Sequence, residues 1–214
     1  MVHPAFVLRT WLPWRATLTW DFAKAKRLLN GGVPKQERHS RYVRSREEGQ
    51  RIAEQLLRAQ VIAADSEHNG VTVDCVAFAA SATEAWCFVL PRDREAVAEL
   101  LASPQEKVWM NAQSDLTVLA ANGFVVGGKQ HDVMLLFHAI QPLIAGRSGD
   151  GATGAGRKRL SFLASLFCDG QPYWKDYSFT SEEERWVLCS TDTRVTLEIW
   201  TRLWAMQKEK EIGI

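Results

Sequence analysis

Apolar and polar residues alternate in blocks along the chain, and the clearest block predicts a buried strand. Residues 61–64 are apolar, lead into Asp65 and end at the turn dipeptide Asn69-Gly70, a pattern typical of a strand that enters a hairpin. Two segments rich in Val, Phe, Cys and Trp follow, over residues 71–80 and 85–90. Together the three segments predict an antiparallel meander.

The remaining periodic segments predict helices and short strands. A capping box at Ser45 and Glu48 begins a helix over residues 46–59, and a second capping box that ends at Glu184 begins a long helix toward Lys208. Between them the pattern predicts helices over residues 92–101, 113–121, 131–144 and 160–167, and short strands over residues 107–110 and 124–126. The fold class is therefore mixed α/β, with an antiparallel meander joined to short parallel strands and flanked by helices.

A change in composition suggests a domain boundary near residue 45. We expect residues 1–45 to form an N-terminal extension, partly basic and aromatic, and residues 46–214 to form the main domain. Between Lys24 and Arg51 lie nine Lys and Arg residues against three Glu residues. This basic region is either a solvated surface or a patch that contacts phosphates. The Gly-rich run over residues 146–156 lacks the Lys-Ser/Thr pair of a phosphate-binding loop, so we expect a plain loop there.

Composition excludes several classes of protein. The chain has 214 residues, is 46% hydrophobic and 24% charged, and carries a formal net charge of +1, so any surface for nucleic acid must be local. Its apolar runs are shorter than the roughly 20 residues of a membrane span. The four cysteines show no spacing typical of a zinc site, which indicates buried thiols in a reducing cytoplasm.

The first candidate for chemistry is the pair Asp65 and Glu67. Two carboxylates at positions i and i+2 of a strand point to the same face. Burying both is costly unless a cation or a hydrogen-bond donor compensates them, and hard divalent ions prefer oxygen ligands. The alternative is that the strand ends at Ala64 and both acids lie in water at a sheet edge.

Three segments together resemble the DEDD 3′–5′ exonuclease superfamily. Asp65 and Glu67 are similar to its first motif, D-x-E, and Asn111 with Asp115 resembles its second motif at the start of a helix. Asp192, with the V-T-L run that follows it, resembles the third motif. Segments after residues 131, 160 and 173 are similar to the proofreading domains of bacterial and phage family A DNA polymerases, and the resemblance covers about residues 46–206.

The resemblance implies an RNase H-like fold and phosphodiester hydrolysis assisted by two divalent ions, Mg²⁺ or Mn²⁺. By this resemblance, Asp65 would bridge both ions, and Glu67 and Asp192 would bind the ion on the side of the attacking water. Asp115 would hold the second ion, largely through water. Asn111 would lie at the helix start beside the site.

The third motif departs from the family. The family places a Tyr four residues before the Asp or a His five residues before it, and here these positions are Leu188 and Val187. Neither can orient or deprotonate a water, a role that contributes about 10²–10⁴-fold to a rate. Candidate substitutes are Tyr173, Tyr177 and His68, although His68 should face away from the carboxylate pair because it is the next residue in the strand.

We therefore expect a metal-dependent 3′–5′ exonuclease that acts on single-stranded DNA ends, with a DNA polymerase or another replisome protein as a possible partner. Two alternatives remain: a weakly active or inactive module of the same fold that binds nucleic acid or a replication protein, and a ribonuclease. Leu188 favours the first of them. Residues expected in the substrate groove, each of which can also be plain loop surface, are Asn111, Arg157, Lys158, Arg159, Trp174 and Lys175.

Overall fold

The computed structural model describes residues 11–32, 36–142, 159–175 and 180–212. In chain order its elements are α1 (Trp11–Leu29), β1 (His39–Tyr42), α2 (Arg46–Leu56), β2 (Val61–His68), β3 (Val73–Ala79), β4 (Glu84–Val89), α3 (Arg94–Ala102), β5 (Glu106–Trp109), α4 (Ala112–Ala121), β6 (Gln130–Asp132), α5 (Val133–Ile140), α6 (Leu160–Phe167) and α7 (Glu182–Ile212). The predicted Gly-rich loop lies outside the described residues.

The strands form one six-stranded sheet in the order β1-β4-β3-β2-β5-β6. The strands β2, β3 and β4 pair antiparallel, as the meander predicts, and β1, β5 and β6 pair parallel with their neighbours. The mixed α/β sheet is therefore confirmed. The strand β1 joins this sheet from within the residues expected to form the extension.

Helices cover both faces of the sheet, and successive residues of β2 show how. Ala63 packs in a core with α5, α6 and α7, whereas its neighbours Ile62 and Ala64 pack in a second core with α2, α3 and α4. The alternation follows from the two-residue period of a strand. The same period puts Asp65 and Glu67 on the face of Ala63, under α7.

The helix α1 packs on the α5–α6 side of the domain. The ring of Trp20 lies 5.1 Å from that of Phe167 and 6.0 Å from that of Phe137. The Lys24 ammonium donates a hydrogen bond to the Ser165 carbonyl oxygen at 2.8 Å. Nearby basic side chains also pair with carboxylates of the main domain, for example Arg38 with Glu198 at 3.2 Å, Arg27 with Asp169 at 3.2 Å and Arg41 with Glu84 at 3.4 Å. Much of the basic region is therefore engaged within the chain.

None of the described helices combines the length and apolar character needed to cross a membrane.

Two details of the predicted elements are wrong. Residues 124–126 form no strand: Phe124 is buried in the second core, and Gly127 donates its N–H to the Leu101 carbonyl oxygen at 2.9 Å. The sixth strand is instead Gln130–Asp132, so the next helix begins at Val133 and not at His131. The Gly127-Gly128 pair is the sequence signal that the strand begins later, because these glycines allow the chain to turn closely against the segment before β5.

Gly128 should be far less tolerant of a side chain than Gly123, although both have a left-handed backbone, with φ of 74° and 76°. A Cβ at Gly128 would overlap the Gln105 carbonyl oxygen, whereas a Cβ at Gly123 would meet only Arg94 Nη2 at 3.5 Å. We expect Gly123→Ala to lower the free energy of unfolding by about 1–2 kcal/mol through backbone strain. Gly128→Ala should lower it by about 1–3 kcal/mol more through overpacking. Urea unfolding of both variants measures the difference, and equal losses would contradict the close approach.

Candidate active site

The site lies where β5 ends and leaves one edge of β2 without a strand. The pairing of β5 with β2 covers only residues 61–63 of β2. Beyond it, α4 brings the buried Asp115 to the free edge. Asp115 Oδ1 accepts hydrogen bonds from the backbone N–H of Ser66 at 2.9 Å and from its hydroxyl at 2.6 Å. The carboxyl ends of two adjacent parallel strands thus meet a helix start, a common position for sites in α/β proteins.

Asp65 and Glu67 lie on the sheet face under α7. The strand β2 continues to His68, so the alternative that it ends at Ala64 is wrong. The helix α7 adds Cys189 to this face, and the ligand atoms of Asp65, Glu67 and Cys189 all lie within 4.8 Å of one another. The structure therefore brings together the two acids of the first motif on one face of one strand.

Asp192, one helical turn after Cys189, is buried and already has two partners. Trp174 donates its indole N–H to Asp192 Oδ1 at 2.6 Å, and the Lys175 ammonium contacts Oδ2. Both partners belong to the loop that precedes α7. Trp174 and Lys175, both expected from the sequence to lie in a substrate groove, thus contact a carboxylate of the site.

Burial and mutual repulsion raise the pKa values of these carboxyl groups. The pKa of Asp65 lies well above its usual range because of burial and then the charges of Asp115, Asp192 and Glu67; Lys175 opposes the shift. Burial, followed by the nearby charge of Cys75, raises the pKa of Glu67 to about 7.

Burial also raises the pKa values of the other two carboxyl groups, those of Asp192 and Asp115. Burial raises the pKa of Asp192, against the effects of Lys175 and Trp174. Burial also raises the pKa of Asp115, and the two hydrogen bonds from Ser66 oppose it. Each carboxyl is thus costly to ionise unless a positive charge is added.

These residues fit divalent cations by the chemistry of their donors. Carboxylate oxygens are the ligands that Mg²⁺ and Mn²⁺ prefer. Burial and the like charges of neighbouring carboxylates raise the pKa of Asp65 although the Lys175 ammonium lies at the site, so an added cation would favour the ionised acids. Asp65, Glu67 and Asp192 could hold such an ion from the α7 side, and Asp115 could approach from the α4 side.

Two features beside the site were not expected from the sequence. Arg185, on α7, lies 3.7 Å from Glu67 Oε2 and donates a hydrogen bond to Asp74 at 2.8 Å. Asp132 accepts hydrogen bonds from the Ala112 N–H, at the start of α4, and from the Met134 N–H, in α5, at 2.9 and 2.8 Å. An Asp before an apolar run is a known signal for a helix N-cap. The sequence carries no signal that one Asp would cap two helices.

Asn111 stands at the start of α4, as expected, with a left-handed backbone at φ 65°. Its N–H donates to the same Asp132 carboxylate at 3.4 Å. Its side chain makes no capping hydrogen bond. The Asn111 backbone therefore orients the helix that carries Asp115.

The residues at the altered positions of the third motif offer no polar group. Leu188 is partly buried against the core under α7, and the side chain of Val187 is 37% exposed. His68 faces the hairpin, where its Nδ1 accepts the Gly70 N–H at 3.1 Å. The side chain of Tyr173 is 58% exposed, in the loop before α7.

The remaining predicted residues belong to loops. Arg159 is exposed immediately before α6. Tyr177, Arg157 and Lys158 lie outside the described residues, so their placement in a substrate groove stays a prediction.

The fold is similar to that of several solved nucleic-acid enzymes. The EXO domain of Aedes aegypti Nibbler matches with a TM-score of 0.58 at 16% identity, over 85% of this chain and 94% of that one. Escherichia coli RNase D, an exoribonuclease involved in structured RNA processing, matches with 0.54 at 13% identity, over 78% and 44% of the two chains. Pol1 of M. smegmatis, solved with a DNA primer-template and dNTP, matches with 0.52 at 16% identity, over 78% and 28%.

No protein-family model and no curated protein matches the chain in sequence. The chain spans less than half the length of the RNase D and Pol1 chains. At these identities the similarity shows the fold alone. The RNase H-like exonuclease fold, with its mixed sheet flanked by helices, is therefore confirmed.

The metal-free protein should lose stability as the pH rises from about 4.5 to about 7. The Glu67 carboxyl has an ordinary pKa near 4.5 and a folded pKa of about 7, so the folded state binds more protons in this window. Its stabilising effect is complete below pH 4.5 and lost as the pH rises through 7. We expect a decline of at most about 3 kcal/mol from this group.

Urea unfolding in EDTA at a series of pH values measures this decline. Glu67→Gln should flatten the slope, whereas Glu99→Gln, at an exposed position of α3, should leave it unchanged. Stability that rises with pH over this range in the wild-type protein would contradict the raised pKa.

Proposed function

We propose that the protein is a metal-dependent 3′–5′ exonuclease that removes nucleotides from single-stranded DNA ends. The observation that supports it is the convergence of four buried or partly buried carboxyl groups at the carboxyl end of β2. An acidic cluster of this kind destabilises a fold unless cations compensate it. Cleavage of a phosphodiester beside such cations explains why the acids are present together.

The position of each carboxylate indicates which ion it would hold. Asp65, between the other carboxylates, would hold both ions, and Glu67 and Asp192 would hold the ion on the α7 side. Asp115 would hold the second ion. When bound, two divalent ions supply an activated water and stabilise the leaving oxygen of the phosphodiester. Ser66 keeps the Asp115 carboxylate in place through two hydrogen bonds to one of its oxygens.

RNA is the second candidate substrate. The matched RNase D is an exoribonuclease, and the matched Pol1 chain binds a DNA primer-template. The same carboxylates can serve either chemistry, since an enzyme distinguishes RNA by contacts to the 2′-hydroxyl.

A DNA polymerase or another replisome protein is the proposed partner, and α1 exposes the apolar side chains of Phe22 and Leu29 for such a contact.

A second function is a binding module of the same fold with weak or no hydrolysis. Two observations favour it. Leu188 offers no group that can position a water, and the Lys175 ammonium already compensates Asp192. Such a module would bind single-stranded nucleic acid or a replication protein without shortening it.

Degradation of 5′-labelled single-stranded oligonucleotides tests the proposal. With Mg²⁺ or Mn²⁺, we expect a ladder that shortens from the 3′ end. The double variant Asp65→Asn/Glu67→Gln should slow the reaction by at least about 100-fold, because it removes two of the carboxylates that would hold the ions. A 100-fold loss corresponds to about 2.8 kcal/mol of transition-state stabilisation. Glu99→Gln should keep wild-type activity.

Comparing the degradation rates of a DNA and an RNA oligonucleotide of the same sequence identifies the substrate. EDTA should stop the reaction on either. Binding of the oligonucleotide without a ladder under either metal would support the binding module. Equal activity in the double variant would exclude these carboxylates as the site.

Restoring a phenol at position 188 should accelerate the reaction. We expect Leu188→Tyr to raise the single-turnover rate about tenfold or more, since a positioned hydroxyl can orient the attacking water. Leu188→Phe is the matched control, because it adds the ring without the hydroxyl. Single-turnover rates measure the effect. A Tyr variant no faster than the Phe variant would show that water positioning at residue 188 does not limit the rate.

A further inference from the structure

Three cysteines from three elements meet beside the carboxylate site. Cys75 belongs to β3, Cys87 to β4 and Cys189 to α7, and all three are fully buried. Their sulfur atoms lie within 4.8 Å of one another. The fourth cysteine, Cys168, is buried elsewhere in the core under α7.

The register of the sheet explains why the sulfurs meet. Cys75 pairs with Glu67 across β2 and β3, and Cys87 pairs with Ala77, which in turn pairs with Asp65. Residues directly opposite each other point to the same face of a sheet. Both cysteines therefore face α7, from which Cys189 completes the cluster.

We propose that these three sulfurs bind one thiophilic metal ion of the Zn²⁺ class. Thiolates select Zn²⁺ and related ions over Mg²⁺, and a zinc site usually has four ligands in a tetrahedron. The three sulfurs would supply three of these ligands, and Asp65, whose Oδ2 lies 3.8 Å from Cys189 Sγ, borders the cluster. A metal ion binds the thiolate form, so binding would release the thiol protons of these cysteines to solvent.

This site differs in kind from the carboxylate site beside it. The carboxylates offer hard oxygen ligands, whereas the cluster offers three soft ones. The two groups adjoin at Cys189, whose sulfur lies within 4.8 Å of the other two sulfurs and also of the Asp65 and Glu67 carboxylates. The inference does not depend on nuclease activity.

Cadmium is a suitable probe, because its thiolate complexes absorb in the ultraviolet and its nuclear resonance reports the number of sulfur ligands. The full chain, reduced and stripped of metal, is titrated with CdCl₂ alone, both after folding and during refolding, since the sulfurs are fully buried. We expect one bound ion per chain to give a ¹¹³Cd shift typical of three sulfurs, and excess Mg²⁺, which suits the carboxylates and not the thiolates, should leave that ion bound in native mass spectrometry. The shift needs no variant, so it tests the site even where a substitution impairs folding.

Single serine variants identify the ligands. Cys75→Ser, Cys87→Ser and Cys189→Ser should each weaken Cd²⁺ binding by more than the 10–100-fold typical of outer-shell partners. Cys168→Ser is the matched control and should bind as the wild-type protein does. The proposal is overturned if the wild-type protein shows no charge-transfer band under either loading condition. Fewer than three sulfur ligands in the cadmium spectrum, or equal weakening in Cys168→Ser, would overturn it as well.

Discussion

The charge of Asp65 is the constraint on which the site depends. Its carboxylate stands on a central strand, under a long helix, near the three other acids of the cluster. In largely buried surroundings, repulsion between like charges is weakly screened, so a nearby cation favours the ionised state. The Lys175 ammonium supplies one within the chain, and the donor atoms suit a divalent ion in addition.

The sheet topology fixes where these charges meet. Because β5 stops short of the end of β2, the Ser66 N–H has no strand partner and is bound by Asp115 instead. The Gly127-Gly128 turn then places β6 beside β5, and Asp132 at its end caps the helix that carries Asp115 as well as the next one. The positions of the acids thus follow from strand lengths and one tight turn.

Local pattern was sufficient for some of this arrangement and insufficient for the rest. The alternation in β2 predicted that Asp65 and Glu67 share a face, and the capping box at Ser45 predicted α2, where the Ser45 hydroxyl accepts the Glu48 N–H at 3.2 Å. The strand predicted at residues 124–126 failed because Phe124 and Val126 pack against the second core from a loop, whereas Val125 is exposed. The contacts of Lys175 with Asp192 and of Cys75 with Cys189 join residues far apart in sequence, and only the tertiary register determines them.

The contact between Lys175 and Asp192 also has a consequence for charge balance. A lysine brings one positive charge and a divalent ion brings two, so replacing the first by the second makes the cavity one unit more positive. The displaced Lys175 side chain would need a new anion within reach of its flexible stem. Under the proposed function, a phosphate of an incoming nucleic-acid strand would meet that need, so a cation in the acidic pocket would free Lys175 to contact that phosphate.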